Sequence, residues 1–248
     1  MASFLMIHGA WHGGWAFDRL RPAIEAAGHA MIAPDLPGMG ARAALLGAVT
    51  LAGWADFAIG QARAQHGPVI LCGHSRGGIV TSAAAERAPE LFAALVYIAA
   101  FLNPDGCSLD DMAARIPRDP LFEAGLIPVA HGAGVRLSAD SAIHACYGHC
   151  TPQDQRASAA RLDTEPLRPF AEPVRISDAR FGRVPRHYVE CLHDRMIPIA
   201  QQRAMQAALP CASVTTLASD HSPFLSAPDE LAAALLNIAD IVMQRREK

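Results

Sequence analysis

Val69-Ile-Leu-Cys-Gly-His-Ser-Arg-Gly-Gly-Ile-Val80 decides how the rest of this chain is read. Apolar residues run as far as Cys72, the chain breaks at Gly73, turns about Ser75, and resumes as the helix-compatible Ile79-Val-Thr-Ser-Ala-Ala-Ala-Glu86. This predicts a strand, a sharp turn and a helix, with a serine at the apex. Gly-x-Ser-x-Gly at such a junction makes a nucleophile elbow. A strained backbone lifts the hydroxyl clear of the sheet, and Gly73 and Gly77 remove side chains that would collide with it. Free N–H groups at the start of the following helix favour an anion forming beside Ser75. The same short pattern arises by chance elsewhere, so its weight rests on the strand–turn–helix setting.

The 248 residues suffice for one large domain, or a domain carrying an insertion. A composition 51% hydrophobic and 18% charged fits an α/β protein whose central strands are covered on both faces. The formal net charge is -3 and basic residues cluster only at Arg245-Arg-Glu-Lys248, which argues against a nucleic-acid partner. The six cysteines have no framework spacing, and Cys72 and Cys191 fall inside apolar runs. They read as small buried hydrophobes in a reducing compartment. His8-Gly9 arrives too early for a secretory leader, and no apolar run reaches membrane-spanning length. The expectation is a cytoplasmic protein with no membrane partner.

Strands alternate with helices along the first part of the chain. Phe4–Ile7 reads as a buried strand entering the loop His8-Gly-Ala-Trp-His-Gly-Gly-Trp15, followed by a helix over 18–27 closed by Gly28. A strand over 29–33 leads to the turn-rich Pro34-Asp-Leu-Pro-Gly-Met-Gly40, and Thr50 caps a helix over 51–65. Past the elbow helix comes a strand over 94–100. This alternation predicts a mostly parallel sheet with helices on both faces. From Leu102 to Arg183 strand signals vanish and short helical pieces near 109–116 and 153–161 stand out. The segment is read as a mostly helical cap inserted into a core formed by residues 1–101 and 184–248. The core resumes with a strand over 186–192, a helix over 199–209, a strand over 213–217 and an amphipathic helix over 229–245.

A serine hydroxyl needs a base, and the base needs a carboxylate that fixes its tautomer. His193-Asp194 follows one late strand and Asp220-His221 the next, so the order Ser75, Asp194, His221 has each residue just beyond a strand's C-terminal end. Eleven histidines make any one of them weak evidence by itself, and His221 gains its weight from that position. Asp220 is too close in sequence to reach the far ring nitrogen, and Asp178 has no strand before it. Two N–H donors must meet the developing oxyanion. Arg76, directly after the nucleophile, and Ala10, in the loop after the first strand, are the candidates, against a plain glycine-rich turn. Gly38-Met-Gly40 is a weak phosphate loop, with no lysine at hand. His144-Ala-Cys-Tyr-Gly-His-Cys150 matches no standard zinc spacing, so it reads as cap packing rather than a metal site. Trp11, Phe101, Leu102, Phe122, Tyr147 and Phe224 are candidate pocket walls, each weighed against a plain core role.

These pieces resemble the α/β-hydrolase superfamily over the whole chain. More narrowly the chain is similar to the branch of plant methylesterases, salicylate-binding esterases, hydroxynitrile lyases and their bacterial relatives. The matching stretches are 8–15, 35–40, 73–78, 194–198 with Gln202, and 220–224. The resemblance implies a cofactor-free Ser–His–Asp enzyme, with a mostly helical cap over an apolar pocket. The lyases of that branch carry a threonine in the first loop and a lysine after the catalytic histidine. Here Gly9 and Ser222 stand there, and His74 precedes the serine as in the esterases. Arg76 departs from the small or apolar residue expected; its side chain either turns away to a carboxylate or draws a charged substrate. The expectation is a serine hydrolase cleaving a small-molecule carboxylic ester with an apolar body. Lyase-type carbon–carbon cleavage, lactonase or other hydrolase activity, and a non-catalytic ligand-binding protein remain as alternatives. No cofactor or metal is expected, and a homodimer is left open.

Overall fold

The apolar run at the N-terminus forms strand β1 (Ser3–Ile7), buried at every position. The computed structural model describes residues 1–246, so Glu247 and Lys248 of the basic tail lie outside the described residues. The chain continues through α1 (Arg21–Ala26), β2 (Ala30–Ile32), α2 (Leu51–Arg63), β3 (Val69–His74), α3 (Gly77–Arg87) and β4 (Phe92–Ile98). Helix α1 starts later than the pattern predicts, because Gly14–Phe17 closes a 3₁₀ turn and Pro22 sits in the first helical turn. Thr50 caps α2 as expected, its Oγ1 accepting from Gly53 N at 2.9 Å.

An inserted stretch then carries α4 (Leu109–Ala113), α5 (Pro120–Glu123), β5 (Leu126–Val129), β6 (Gly134–Leu137), α6 (Ala139–Cys146), α7 (Pro152–Ala159), β7 (Glu165–Pro166) and α8 (Arg168–Ala171). Helical pieces outnumber strands, but β5, β6 and β7 form an antiparallel three-stranded sheet that the sequence does not announce. The core resumes with β8 (Arg186–Cys191), α9 (Ile199–Ala208), β9 (Ser213–Leu217), α10 (Pro223–Ser226) and α11 (Pro228–Arg246).

The main sheet has six parallel strands in the order β2-β1-β3-β4-β8-β9. The inner strands β1, β3 and β4 are covered on both faces and are written as nearly continuous apolar runs, whereas the edge strand β9 is partly exposed and alternates. Leu71, Leu95 and Tyr97 pack toward Trp54, Ala58 and Ile79 on one face. Met6, Ile70 and Val96 pack toward Ile24, Leu235 and Ile238 on the other. The six cysteines are all unpaired, and Cys72 and Cys191 are buried in their strands. Among the described residues, no helix is long and apolar enough to cross a membrane.

Register sets the site. β1 and β3 pair from Ser3 with Val69 to Ile7 with Gly73, so the loop after β1 runs beside the turn after β3. β8 and β9 pair up to Cys191 with Leu217, which brings their two following loops side by side at the same sheet edge.

Candidate active site

The turn after β3 is as strained as its sequence predicts: Ser75 has φ of +52°. A left-handed backbone costs a non-glycine residue about 1–3 kcal/mol, and here the surrounding contacts hold it. Ser75 N donates to Ile98 O at 3.2 Å and Phe101 N donates to Ser75 O at 3.0 Å, tying the turn to β4. The flanking glycines permit close approach. A Cβ on Gly77 would stand 2.5 Å from Ile7 O, and one on Gly73 would stand 2.5 Å from Thr81 Oγ1.

The loops after β8 and β9 bring Asp194 and His221 to this serine. His221 Nε2 lies 2.9 Å from Ser75 Oγ, and His221 Nδ1 lies 2.8 Å from Asp194 Oδ2. The ionised carboxylate only accepts, so Nδ1 carries the hydrogen and Nε2 faces the serine hydroxyl as an acceptor. Asp194 is itself fixed. Its Oδ1 accepts from Met196 N at 2.8 Å and Ile197 N at 2.9 Å, and its Oδ2 accepts from Gln202 Nε2 at 3.2 Å. Gln202 is locked in turn, accepting from Cys191 N at 3.1 Å and donating to Ile197 O at 2.7 Å. All three residues of the Ser–His–Asp line are buried.

Asp220 is used elsewhere. It accepts from Ser222 N at 3.0 Å, Ser226 Oγ at 2.7 Å and His149 N at 2.8 Å, joining the His221 loop to the inserted stretch. Asp178 is exposed.

Three further histidines, His8, His12 and His74, are buried in this region. His74 Nε2 donates to His221 O at 2.8 Å, its ring centroid 4.8 Å from that of His221. His12 Nδ1 donates to Ala10 O at 2.7 Å and its Nε2 accepts from Tyr147 Oη at 2.8 Å. His8 Nε2 accepts from Leu36 N at 3.0 Å. Burial holds the His8 and His74 rings well below the ordinary histidine range, and the Arg76 cation adds to the effect on His8. Burial pushes His12 down to about 4. All three are neutral at physiological pH.

Ala10 and Arg76 both border the cavity beside Ser75. Among the described residues, neither backbone N–H is taken up by a backbone partner. The Arg76 side chain turns away from the cavity to a carboxylate, with Nε 2.9 Å from Glu165 Oε1 in a pair that is almost fully buried.

The cavity itself measures about 720 Å³ and is lined largely by apolar side chains. Trp11, Phe101 and Phe122 line it as expected, joined by Leu126, Val135, Phe170 and Met196, while charged Arg118, Asp119 and Arg195 also border it. Leu102, Tyr147 and Phe224 do not line it. Leu102 is core, Tyr147 holds His12, and Phe224 packs edge-on against His74 at 5.0 Å. His144 pairs with Asp119 at 2.8 Å, and among the described residues no three metal-ligating side chains converge. Glu165 had no signal in the sequence, since its partner is 89 residues away and its strand is two residues long.

A family model described as "Alpha/beta hydrolase family" matches residues 4–234. The chain belongs to this family. Methylesterase 7 of Arabidopsis thaliana is 30% identical over 253 residues, covering 96% of each chain. Pyrethroid hydrolase of Sphingobium wenxiniae is 30% identical over 260 residues, covering 100% of this chain and 91% of that protein. The solved structure of a pyrethroid hydrolase from Sphingobium faniae superposes with a TM-score of 0.85 at 28% identity, over 97% of this chain and 98% of that one. With these relatives, the chain is an α/β hydrolase of the carboxylesterase type.

Proposed function

We propose that this hydrolase cleaves carboxylic esters with a bulky apolar body through an acyl-enzyme on Ser75. Ser75 Oγ attacks the ester carbonyl while His221 Nε2 takes its proton. The carbonyl oxygen becomes an oxyanion held by the Ala10 and Arg76 N–H groups. His221 passes the proton to the departing alkoxide, leaving an acyl group on Ser75. Water then loses a proton to His221 and adds to the acyl carbon; the Ser75 Oγ–acyl bond breaks, His221 returns the proton to Oγ, and the acid is released. Asp194 keeps the proton of His221 on Nδ1 and stabilises the imidazolium.

The observation that carries this reading is the unbroken hydrogen-bonded line from Ser75 through His221 to Asp194, opening into an apolar cavity. The volume of about 720 Å³ lies in the upper part of the range for small-molecule sites, which supports a substrate larger than a short-chain ester. Lyase chemistry of the branch's cyanohydrin type has little support. A Cβ at Gly9 would stand 2.7 Å from His74 Nδ1 and 2.9 Å from Ser75 Cβ, so there is no room for a threonine there.

The test uses p-nitrophenyl and methyl esters of graded acyl size, with intact-mass analysis after a fluorophosphonate. The expected result is one phosphonyl adduct on Ser75, turnover rising with apolar bulk, and no turnover by folded Ser75→Ala. Turnover by that variant comparable to wild type refutes the mechanism. Ligand binding without an adduct or turnover favours a binding protein.

A further inference from the structure

Among the described residues, the Arg76 guanidinium is the one cation sealed beside the Ser75 turn, and its side chain turns to a carboxylate rather than into the cavity. It stacks over Trp54 at 4.3 Å from the ring centroid. Its Nη2 donates to Gly9 O at 3.1 Å, and its Nε meets Glu165 Oε1 at 2.9 Å. The other oxygen of Glu165 accepts from Trp11 N at 2.9 Å. Gly9 and Trp11 are the residues on either side of Ala10. The buried pair therefore grips the loop on both sides of Ala10, one ion on a carbonyl and the other on an amide.

The loop needs holding. Trp11 has φ of +61°, a conformation a bulky side chain adopts only under constraint. Each polar group of Trp11 is fastened to the inserted stretch: its N–H to Glu165, its indole Nε1 to Val135 O at 3.1 Å, and its carbonyl to Asp163 N at 2.8 Å. Burying two charges is a poor way to gain stability, since their desolvation cost rivals their attraction. A hydrophobic pair would fill the same space. What a hydrophobic pair cannot do is bind a carbonyl and an amide at fixed points.

We propose that Arg76 and Glu165 form a positioning clamp that aims the Ala10 N–H at the oxyanion and makes that aim depend on the inserted cap. This inference rests on the reading of Ser75 as nucleophile and Ala10 N–H as oxyanion donor. The clamp acts in the transition state, because the oxyanion is where charge develops and ground-state binding depends on the apolar cavity. Its loss lowers kcat and leaves KM near its wild-type value.

Two variants test it. Glu165→Asp keeps the charge balance but withdraws the carboxylate from Trp11 N. Arg76→Met with Glu165→Leu removes both charges together and leaves no ion stranded in the interior. In each, provided circular dichroism and thermal melting show a folded chain, kcat should fall about 10- to 100-fold, less than the 100- to 1,000-fold typical of deleting a donor outright. Affinity for an aryl trifluoromethyl ketone, which forms a tetrahedral oxyanion on Ser75, should fall in parallel. The KM for the ester and the Kd of the acid product should stay within about threefold. If a folded variant keeps kcat and ketone affinity within twofold of wild type, the clamp is refuted. If kcat and KM move together with the melting temperature, the pair is merely structural and the proposal is equally refuted. Failure of wild-type enzyme to take a fluorophosphonate on Ser75 overturns the underlying reading instead, which keeps the two failures distinct.

Discussion

Asp194→Asn isolates the chemistry of the proposed triad from its shape. The two backbone amides of Met196 and Ile197, at 2.8 and 2.9 Å, donate to Oδ1, so the asparagine oxygen must stay on that side. Its NH₂ then occupies the Oδ2 position, facing His221 Nδ1 at 2.8 Å and Gln202 Nε2 at 3.2 Å. Gln202 does not turn over to relieve the clash, because its Oε1 already serves Cys191 N and its Nε2 serves Ile197 O. The remaining adjustment is for His221 to shift its proton. Nδ1 becomes the acceptor, and Nε2–H points at the Ser75 hydroxyl with no lone pair to take a proton. In a serine protease the equivalent exchange lowers kcat by about 10⁴, or roughly 5.4 kcal/mol of barrier, and the same loss is expected here. The donor pair left facing Gln202 costs a further ~1–3 kcal/mol of stability. Steady-state kinetics on a p-nitrophenyl ester give the first quantity and urea unfolding the second. A kcat within tenfold of wild type, in a variant shown to be folded, refutes the assignment of Asp194 as the group that sets the His221 tautomer.

Gly9→Ala should lower kcat about 100-fold, because the new methyl meets His74 Nδ1 at 2.7 Å and Ser75 Cβ at 2.9 Å and displaces the nucleophile. Unfolding in urea should show an accompanying loss of about 1–3 kcal/mol from overpacking, and unchanged kinetics would mean the loop yields freely. Acid should destabilise the fold well before its carboxylates titrate. His8, His12 and His74 are held neutral in the folded chain, His12 down to about 4, whereas in the unfolded chain they take up protons near pH 6.5. Their contribution is complete above that pH and falls as protons bind the unfolded state, by up to about 1.4 kcal/mol per pH unit for each histidine once that state is fully protonated. Burial raises the Glu165 carboxyl, which works in the opposite sense above its unfolded value, but one carboxyl opposes three histidines, so a net loss of stability is the prediction from pH 6.5 to 5. A urea midpoint that stays flat across that interval refutes it.

The inner strands of the main sheet and the place of Ser75 were legible for one reason: a parallel strand buried on both faces is written as an apolar run, and the turn that follows it stands at the C-terminal edge of the sheet. Val69–His74 announces itself in this way and Ser75 follows it directly; Arg186–Cys191 and the partly exposed edge strand Ser213–Leu217 are marked instead by their β-branched and aromatic residues, with Asp194 and His221 a few residues beyond. The inserted sheet had no such signature. Leu126–Val129 is partly or largely exposed along its length, and Glu165–Pro166 is too short to show any period. Glu165 illustrates the limit most sharply. A glutamate at the end of a turn-rich stretch reads as a solvated charge, and only its pairing with Arg76, remote in sequence, makes it a buried anion. The anomaly was visible from the Arg76 side, because a long cation directly after the nucleophile demands either a partner or a substrate. Sequence posed that choice and the fold answers it with a carboxylate from the inserted stretch. The same dependence explains why the inserted stretch resists reading. Its backbone is held to the core by Trp11, Asp220 and Glu165 through polar contacts at single points, and such contacts have no periodicity to detect.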